Sequence, residues 1–223
     1  MAKPYFRQVP DLDYVSRIPN AKISDYVRVK NLFRKGKLRD DIFQDLNYFT
    51  KYQINGNDRP DNVASDLYGD STLDWVVLIA NNIINIQSEW PMSQQDFDRY
   101  LLNKYGDYET LYSGIHHYET ISVKNSADVE IVRAGLIVPE DFKMIYYDDD
   151  NQRQIIANNI TVPITNYQYE EGKENEKRNI YVLKPRYLHL VFDDIEDIMT
   201  YKKGSSQYVS GTLKKADNIR LYS

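Results

Sequence analysis

The sequence predicts an α+β protein: a helical hairpin on a short strand, then a β-rich region, then a C-terminal strand–helix element. Three observations carry that prediction. Residues 55–82, NGNDRPDNVASDLYGDSTLDWVVLIANN, hold the start and stop signals of two short helices in succession. Residues 115–164 alternate or carry β-branched runs, the texture of strands. Residues 179–199 pass from a short apolar run to a helical stripe opposed by acids.

The first 25 residues show no sustained period. Tyr5, Phe6, Val9, Leu12, Tyr14, Val15 and Ile18 are interrupted by Pro4, Pro10 and Pro19, which disfavour helix and push their neighbours toward extended geometry. Such an apolar segment needs a surface to lie on, its own domain or a partner, and a partner-binding arm is expected. Residues 26–33 then alternate, Val27 and Val29 against Arg28 and Lys30, as a strand does. Residues 34–37 read as a turn and 38–46 as a return segment or short helix. Arg28, Lys30, Arg34, Lys35, Lys37 and Arg39 form a cationic cluster with no acid between them. It offers a nucleic-acid reading, but no RNA-recognition, helix-turn-helix or zinc pattern surrounds it. In a chain of net charge −5, a solvated hairpin or an acidic protein partner is the expected reading.

Residues 48–54 read as the strand that supports the helical hairpin. Asp58 sits at the cap region and Pro60 in the first turn, where its missing N–H costs nothing. Val63, Ala64, Leu67 and Tyr68 form an apolar stripe, and Gly69 can take the left-handed conformation that ends a helix. Ser71 and Asp74 make a capping-box variant for the second helix, in which Leu73, Trp75, Val76, Val77, Leu78, Ile79 and Ala80 are apolar nearly all round. Neither helix would be stable alone, since isolated helices under about 12 residues are marginal in water. Trp75, Leu78, Leu67 and Tyr68 are therefore expected in the core.

Residues 82–92 read as an irregular link containing Trp90. Ser93 caps the next helix, with Asp96 at its third position, Phe97, Tyr100, Leu101 and Tyr105 on one face, and Gly106 closing it. Within 115–164, strands are expected over 118–123, 129–132 and 143–147, with 148–151 as a hairpin turn and Ile155-Ile156 on the returning strand. Residues 166–177 form a weak helix, because Gly172 lowers its propensity. Residues 179–183 are a strand, and Pro185 opens a helix carrying Leu188, Val191, Phe192, Ile195, Ile198 and Met199. Lys202 and Lys203 suit its last turn and Gly204 its end. The remainder, 203–223, reads as a polar turn and a short terminal strand.

Composition narrows the classes. The chain has 223 residues, 42% apolar, enough for one or two domains with a real core. It has no cysteine, so neither a disulfide scaffold nor a thiolate site exists. There is no apolar leader and no apolar run approaching the roughly 18 residues that span a bilayer, so a soluble, intracellularly made protein is expected. Twenty Tyr accompany seven Phe. Tyrosine combines a large apolar ring with a polar tip, which suits either core edges or surfaces buried on assembly.

Three groups invite a catalytic or metal reading. His116 and His117 are adjacent on a strand, where side chains point to opposite faces, and only one other His exists. Asp148, Asp149 and Asp150 lack the spaced oxygens, glycine and closing Glu of a calcium loop, so a turn is expected. Glu140 and Asp141 are ordinary surface acids. No nucleophile elbow, phosphate-binding loop or dinucleotide fingerprint occurs. No catalysis, cofactor or metal is expected.

The run RPDNVASDLYG followed by WVVLIANN resembles the LysM-type strand–helix–helix–strand unit. More narrowly, it is similar to the version found in the baseplate wedge protein with a LysM-like domain from T-even-type contractile-tailed phages, matching at Pro60, Val63, Ala64, Tyr68, Gly69, Trp75, Leu78 and Asn81. A second stretch, NYQYEEGKENEKRNIYVLKPRYLHLVFDDIEDIM, resembles the same family. A standard LysM unit would return with its second strand where the helix after Ser93 begins, and the usual glycan groove depends on a complete core. The resemblance implies a non-enzymatic virion component, present in several copies, assembled in the host cytoplasm. It would bind other wedge subunits, including the sheath-initiating one, join neighbouring wedges, and bind neither nucleic acid nor membrane. The alternative it leaves is a peptidoglycan- or chito-oligosaccharide-binding LysM module. The expected division is an arm and basic hairpin over 1–47, a LysM-like domain with an added helix over 48–114, and an α+β region over 115–223. The expected contact residues are Tyr5, Phe6 and Tyr14 of the arm, Arg34, Lys35 and Lys37 of the hairpin, and Trp90.

Overall fold

Helices and short strands share the chain in the structure, a computed structural model that describes residues 4–22, 24–149 and 151–217, and the α+β class holds. The chain forms two compact units, one from Met1–Trp90 with Arg178–Ser223 and one from Pro91–Lys177.

In the first unit the helical hairpin stands where its signals put it. The Pro60–Tyr68 helix buries Val63 and Ala64 and ends on Gly69, whose φ of 72° is the left-handed conformation a glycine adopts freely. Its N-cap is Arg59, with no side-chain bond, so Asp58 does not cap it. The start of the second helix also differs from expectation. Asp70 accepts from the Thr72 N–H, and a 3₁₀ turn, Ser71–Leu73, leads into the Asp74–Ala80 helix. Asp70 lies one residue earlier than the capping box read from the sequence, because the extra turn lengthens the entry. Trp75, Val76, Val77 and Ala80 are buried, and Leu67, Tyr68 and Leu78 pack against them.

The supporting strand, Phe49–Gln53, has an antiparallel partner from far along the chain. Asn179–Leu183 pairs with it from Phe49↔Leu183 to Gln53↔Asn179. Strand–helix–helix–strand is thus completed by a strand that follows the whole second unit. Ile180, Val182 and Leu183 are buried against the hairpin, the contact that selects this pairing. Asn81 secures it: its Nδ2 donates to the Tyr181 carbonyl and its Oδ1 accepts from the Tyr181 N–H, both at 2.8 Å. The Tyr68 hydroxyl donates to the Leu183 carbonyl at 3.0 Å, and burial pushes its pKa up to about 12.

A short Pro185–Tyr187 turn opens the Leu188–Met199 helix, whose Val191, Ile195 and Met199 close the core. That helix stops at Met199, because Thr200 turns extended and the Tyr201 N–H bonds the Gly211 carbonyl instead. Lys202, Lys203 and Gly204 therefore lie beyond it. The described part of the aperiodic N-terminal stretch is built into the fold as well. Pro4 and Pro10 bracket a helical turn, Tyr5–Gln8. Asp11–Val15 then pairs antiparallel with Tyr26–Lys30 and parallel with Leu213–Lys215, which Tyr208–Ser210 extends. Residues 1–3 of the expected arm and 218–223 of the expected terminal strand lie outside the described residues.

The second unit has a small core of Phe97, Leu101 and Leu111. Ser93 caps the Gln94–Tyr105 helix and Gly106 ends it, as read. A further helix, Tyr108–Ser113, follows at once, capped by Asp107, which accepts from the Thr110 N–H at 2.6 Å. The Asn166–Lys177 helix runs through Gly172 because two buried acids tie it down. Glu170 accepts from Lys104 at 2.6 Å and from the Tyr105 hydroxyl at 3.0 Å, and Glu174 from the Met92 N–H and from Lys177. Ile115–Thr120 pairs with Thr161–Thr165 and Ile137–Val138, while Val123–Lys124 pairs with Glu130–Val132 and Met144–Asp148 with Arg153–Ala157. Asp148 is buried at the last turn, bonded by Ser126 and Asn151, each at 2.6 Å; Asp150 lies outside the described residues.

Candidate interaction surface

Residues 31–39 cross the first unit without regular structure, held down at Gly36. Its N–H donates to the Tyr5 hydroxyl at 2.8 Å, and a Cβ built there would stand 2.5 Å from Ile195 Cδ1. A larger residue there would have to push the Ile195 side chain aside. The approach leaves an apolar cleft of about 510 Å³ lined by Leu38, Phe43, Ile79 and Ile83, with Lys35, Lys37 and Asp40 at its sides. In the same unit Phe33 is 95% exposed, and Leu32, Leu46 and Ile84 are exposed as well.

The residues expected to make contacts take different positions. Tyr5 is half-buried, its ring 5.9 Å from that of Trp75, while Phe6 is exposed beside it. Tyr14 is exposed on the sheet, with Arg17 over its ring. Arg34 reaches the end of the Leu188–Met199 helix, donating to the Ile198 and Thr200 carbonyls, with its guanidinium 4.9 Å above Tyr201. It caps that helix as a cation suits its negative end. Lys35 and Lys37 line the cleft, and Lys37 pairs with Asp40 at 2.6 Å. Trp90 is 5% exposed, its indole N–H donating to the Asp58 carbonyl at 2.9 Å.

The cationic cluster looks different in space from its look in sequence. Arg28 pairs with Asp13, Lys30 with Asp11, Lys37 with Asp40, and Arg39 with Asp41 and Asp194. The Asp41 carboxyl is held below the usual range by its bond from Arg39. A strip neutralised by its own fold has little field left for a phosphate backbone.

In the second unit Tyr108 and Tyr112, 60% and 53% exposed, stack with centroids 6.3 Å apart, and Tyr112 meets Tyr167 at 4.8 Å. Burial and then the Glu171 charge push the Tyr167 hydroxyl up, with smaller contributions from Tyr112 and Asp98. Sequence reading missed this face, together with Phe33, Leu32 and Phe43. The helix bearing Tyr108 is too short for a period, and exposure of a single aromatic leaves no pattern.

The other candidates resolve simply. His116 and His117 do not point apart: His116 stacks on Tyr169 at 3.7 Å, and the two Nδ1 atoms lie 2.9 Å from each other. His117 Nε2 meets Glu119 at 2.9 Å, so these nitrogens bond within the protein. Among the described residues no three His, Cys, Asp or Glu side chains gather as a metal would need, and no helix is long and apolar enough to cross a membrane.

What the two small α+β units offer at their surfaces is an apolar cleft in one and an exposed tyrosine stack in the other. The chain belongs to the base plate wedge protein 53 family, whose model matches residues 5–200. No curated protein matches it. Its role is structural and its place is the phage tail baseplate.

Proposed function

We propose that this chain is a non-enzymatic wedge subunit that binds other wedge proteins and links adjacent wedges during baseplate assembly. The observation that carries the reading is the apolar cleft, with Phe33, Leu32, Leu46 and Ile84 exposed in the same unit, in a chain of a baseplate wedge family. Phe6, Tyr14, Lys35 and Lys37 are the contact residues at its surface, while Trp90 lies in the core. Arg34 acts by fixing the 31–39 segment against the helix end. A contact of about 1,600 Å² gives ample affinity, and repetition around a ring adds avidity.

The test is reconstitution of wedges from purified baseplate proteins with this chain carrying Phe33→Asp and Phe43→Asp. Both side chains are exposed, so the fold should survive while incorporation falls at least tenfold. Wild-type incorporation of the doubly substituted chain would refute the assignment.

A second reading, a glycan-binding module of LysM type, draws support from the Asn179–Leu183 strand, which completes the strand–helix–helix–strand core. Titration with chito-oligosaccharides, followed by Trp fluorescence, separates the two: saturable binding favours the glycan reading, an unchanged spectrum the structural one.

A further inference from the structure

The charge of this chain is divided unevenly between its two units. Pro91–Lys177 carries 16 acidic and 8 basic side chains, a formal charge of −8; the remainder carries 17 and 20, a charge of +3, which together give the −5 of the whole. Each unit also bears an exposed apolar feature. In the basic unit it is the cleft walled by Leu38, Phe43, Ile79 and Ile83, lined also by Lys35 and by the Lys37–Asp40 ion pair. In the acidic unit it is the Tyr108–Tyr112 stack, a ring step backed by Tyr167. Acids surround that step: Glu109 is on the same helix, Glu171 bonds the Tyr167 hydroxyl at 3.2 Å, and Asp98 is close enough to act on it.

Tyrosine suits such a cleft, since its ring fills apolar space while its hydroxyl meets the polar side chains of the lining. Tyrosine is also among the residues enriched where interfaces carry their energy, and here two are pre-ordered by stacking. Lys35, which makes no ion pair among the described residues, is opposite in sign to the acids about the tyrosine step, as are the net charges of the two units, and such complementarity favours encounter and fixes orientation.

We propose that the cleft is filled by a second copy of this chain, the Tyr108–Tyr112 step of one copy entering the Lys35–Lys37 cleft of the next. The proposal rests on the wedge-linking reading above and gives it a direct contact. Two different patches meet in it, so each contact leaves a free cleft on one copy and a free tyrosine step on the other. Association of this kind continues from copy to copy until a ring closes or a filament grows.

The experiment is sedimentation velocity of the full chain across a wide concentration range, at low and high salt. The wild-type chain should self-associate, more weakly as salt rises. Lys35→Glu with Lys37→Glu, and separately Asp98→Lys with Glu109→Lys, should each weaken association by roughly thirtyfold, as should Tyr112→Ala without any change of charge. Mixing the two charge-reversed chains should restore association, because each then presents an opposite-sign partner to the other. A wild-type chain that stays monomeric throughout overturns the proposal. So does association that either reversal leaves intact, or that mixing fails to restore between variants with unaltered melting curves. Binding of the monomeric variants to other wedge proteins is measured alongside. If it persists, the failure belongs to the self-contact; if the wild-type chain also binds none of them, the wedge assignment fails.

Discussion

Trp75 shows how one side chain joins the outer surface to the core. It is 5% exposed, with the Tyr5 ring 5.9 Å away on one side and the Phe192 ring 6.1 Å away on the other. Tyr5 in turn accepts the bond from Gly36 that seats the cleft wall. Among the described residues its indole Nε1 has no hydrogen-bond partner, so the ring is held by packing alone. Trp75→Ala should cost roughly 3–5 kcal/mol through the cavity it leaves. Trp75→Phe keeps a ring and removes the orphaned donor, so it should cost much less. Urea unfolding of the two variants checks this, and equal losses would show that the ring's volume is not what matters. Asn81 acts on the same scale: both ends of its amide are spent on Tyr181, a hundred residues away. The sequence marks Asn81 as the close of a helix but holds no sign of which strand it will grip.

Elements with local signals were legible, and those fixed by distant partners were not. Gly69, Ser93 and Gly106 end or begin helices through bonds to their own neighbours, and the structure places all three as read. The pairing of Asn179–Leu183 with Phe49–Gln53 depends on burial against a hairpin far off in sequence. The same holds for the cationic strip, whose acids come from Asp11, Asp13 and Asp194 as well as from nearby positions. The Asn166–Lys177 helix is the clearest instance, since its propensity is poor and its stability comes from elsewhere. Burial acts to raise the Glu170 pKa, but the bonds from Lys104 and Tyr105 outweigh it and hold the carboxyl below its usual range. Lys104 is raised, chiefly by the same bond. A depressed carboxyl stabilises the fold above its ordinary pKa and loses that contribution as pH falls through the folded-state value; a raised lysine loses its own only as pH rises through the folded value. The pair is therefore at full strength around neutrality, and the second unit should weaken on acidification. Glu170→Gln should cost about 1–2 kcal/mol at neutral pH, the lower part of the range for a charged bond because Lys104 remains partly solvated. The same change should flatten the acid dependence followed by tyrosine near-UV dichroism, and an unchanged acid slope would place the sensitivity at another group.

Across the whole molecule, the second unit interrupts the first at one place. The Trp90 indole donates to the Asp58 carbonyl, and Arg178 donates to the Gly56 carbonyl at 2.8 Å. The Ile54 N–H, moreover, bonds the Arg178 carbonyl at 2.8 Å. Departure and return of the chain are thus fastened to the same loop, residues 54–58, so the ends of the interruption already stand close together in the first unit. Closing a short loop between them costs little chain entropy, because that cost grows only slowly with length. Replacing residues 91–177 with a short Gly-Ser linker should therefore leave the first unit folded, with its Asn179–Leu183 strand still paired. Both tryptophans of the chain, Trp75 and Trp90, belong to this unit, so their fluorescence reports on it alone. The shortened chain should unfold in one cooperative step with the wild-type tryptophan emission maximum. An emission maximum shifted to that of solvated indole would mean that the first unit needs its insertion to fold, and that residues 54–58 do not by themselves hold the two junctions.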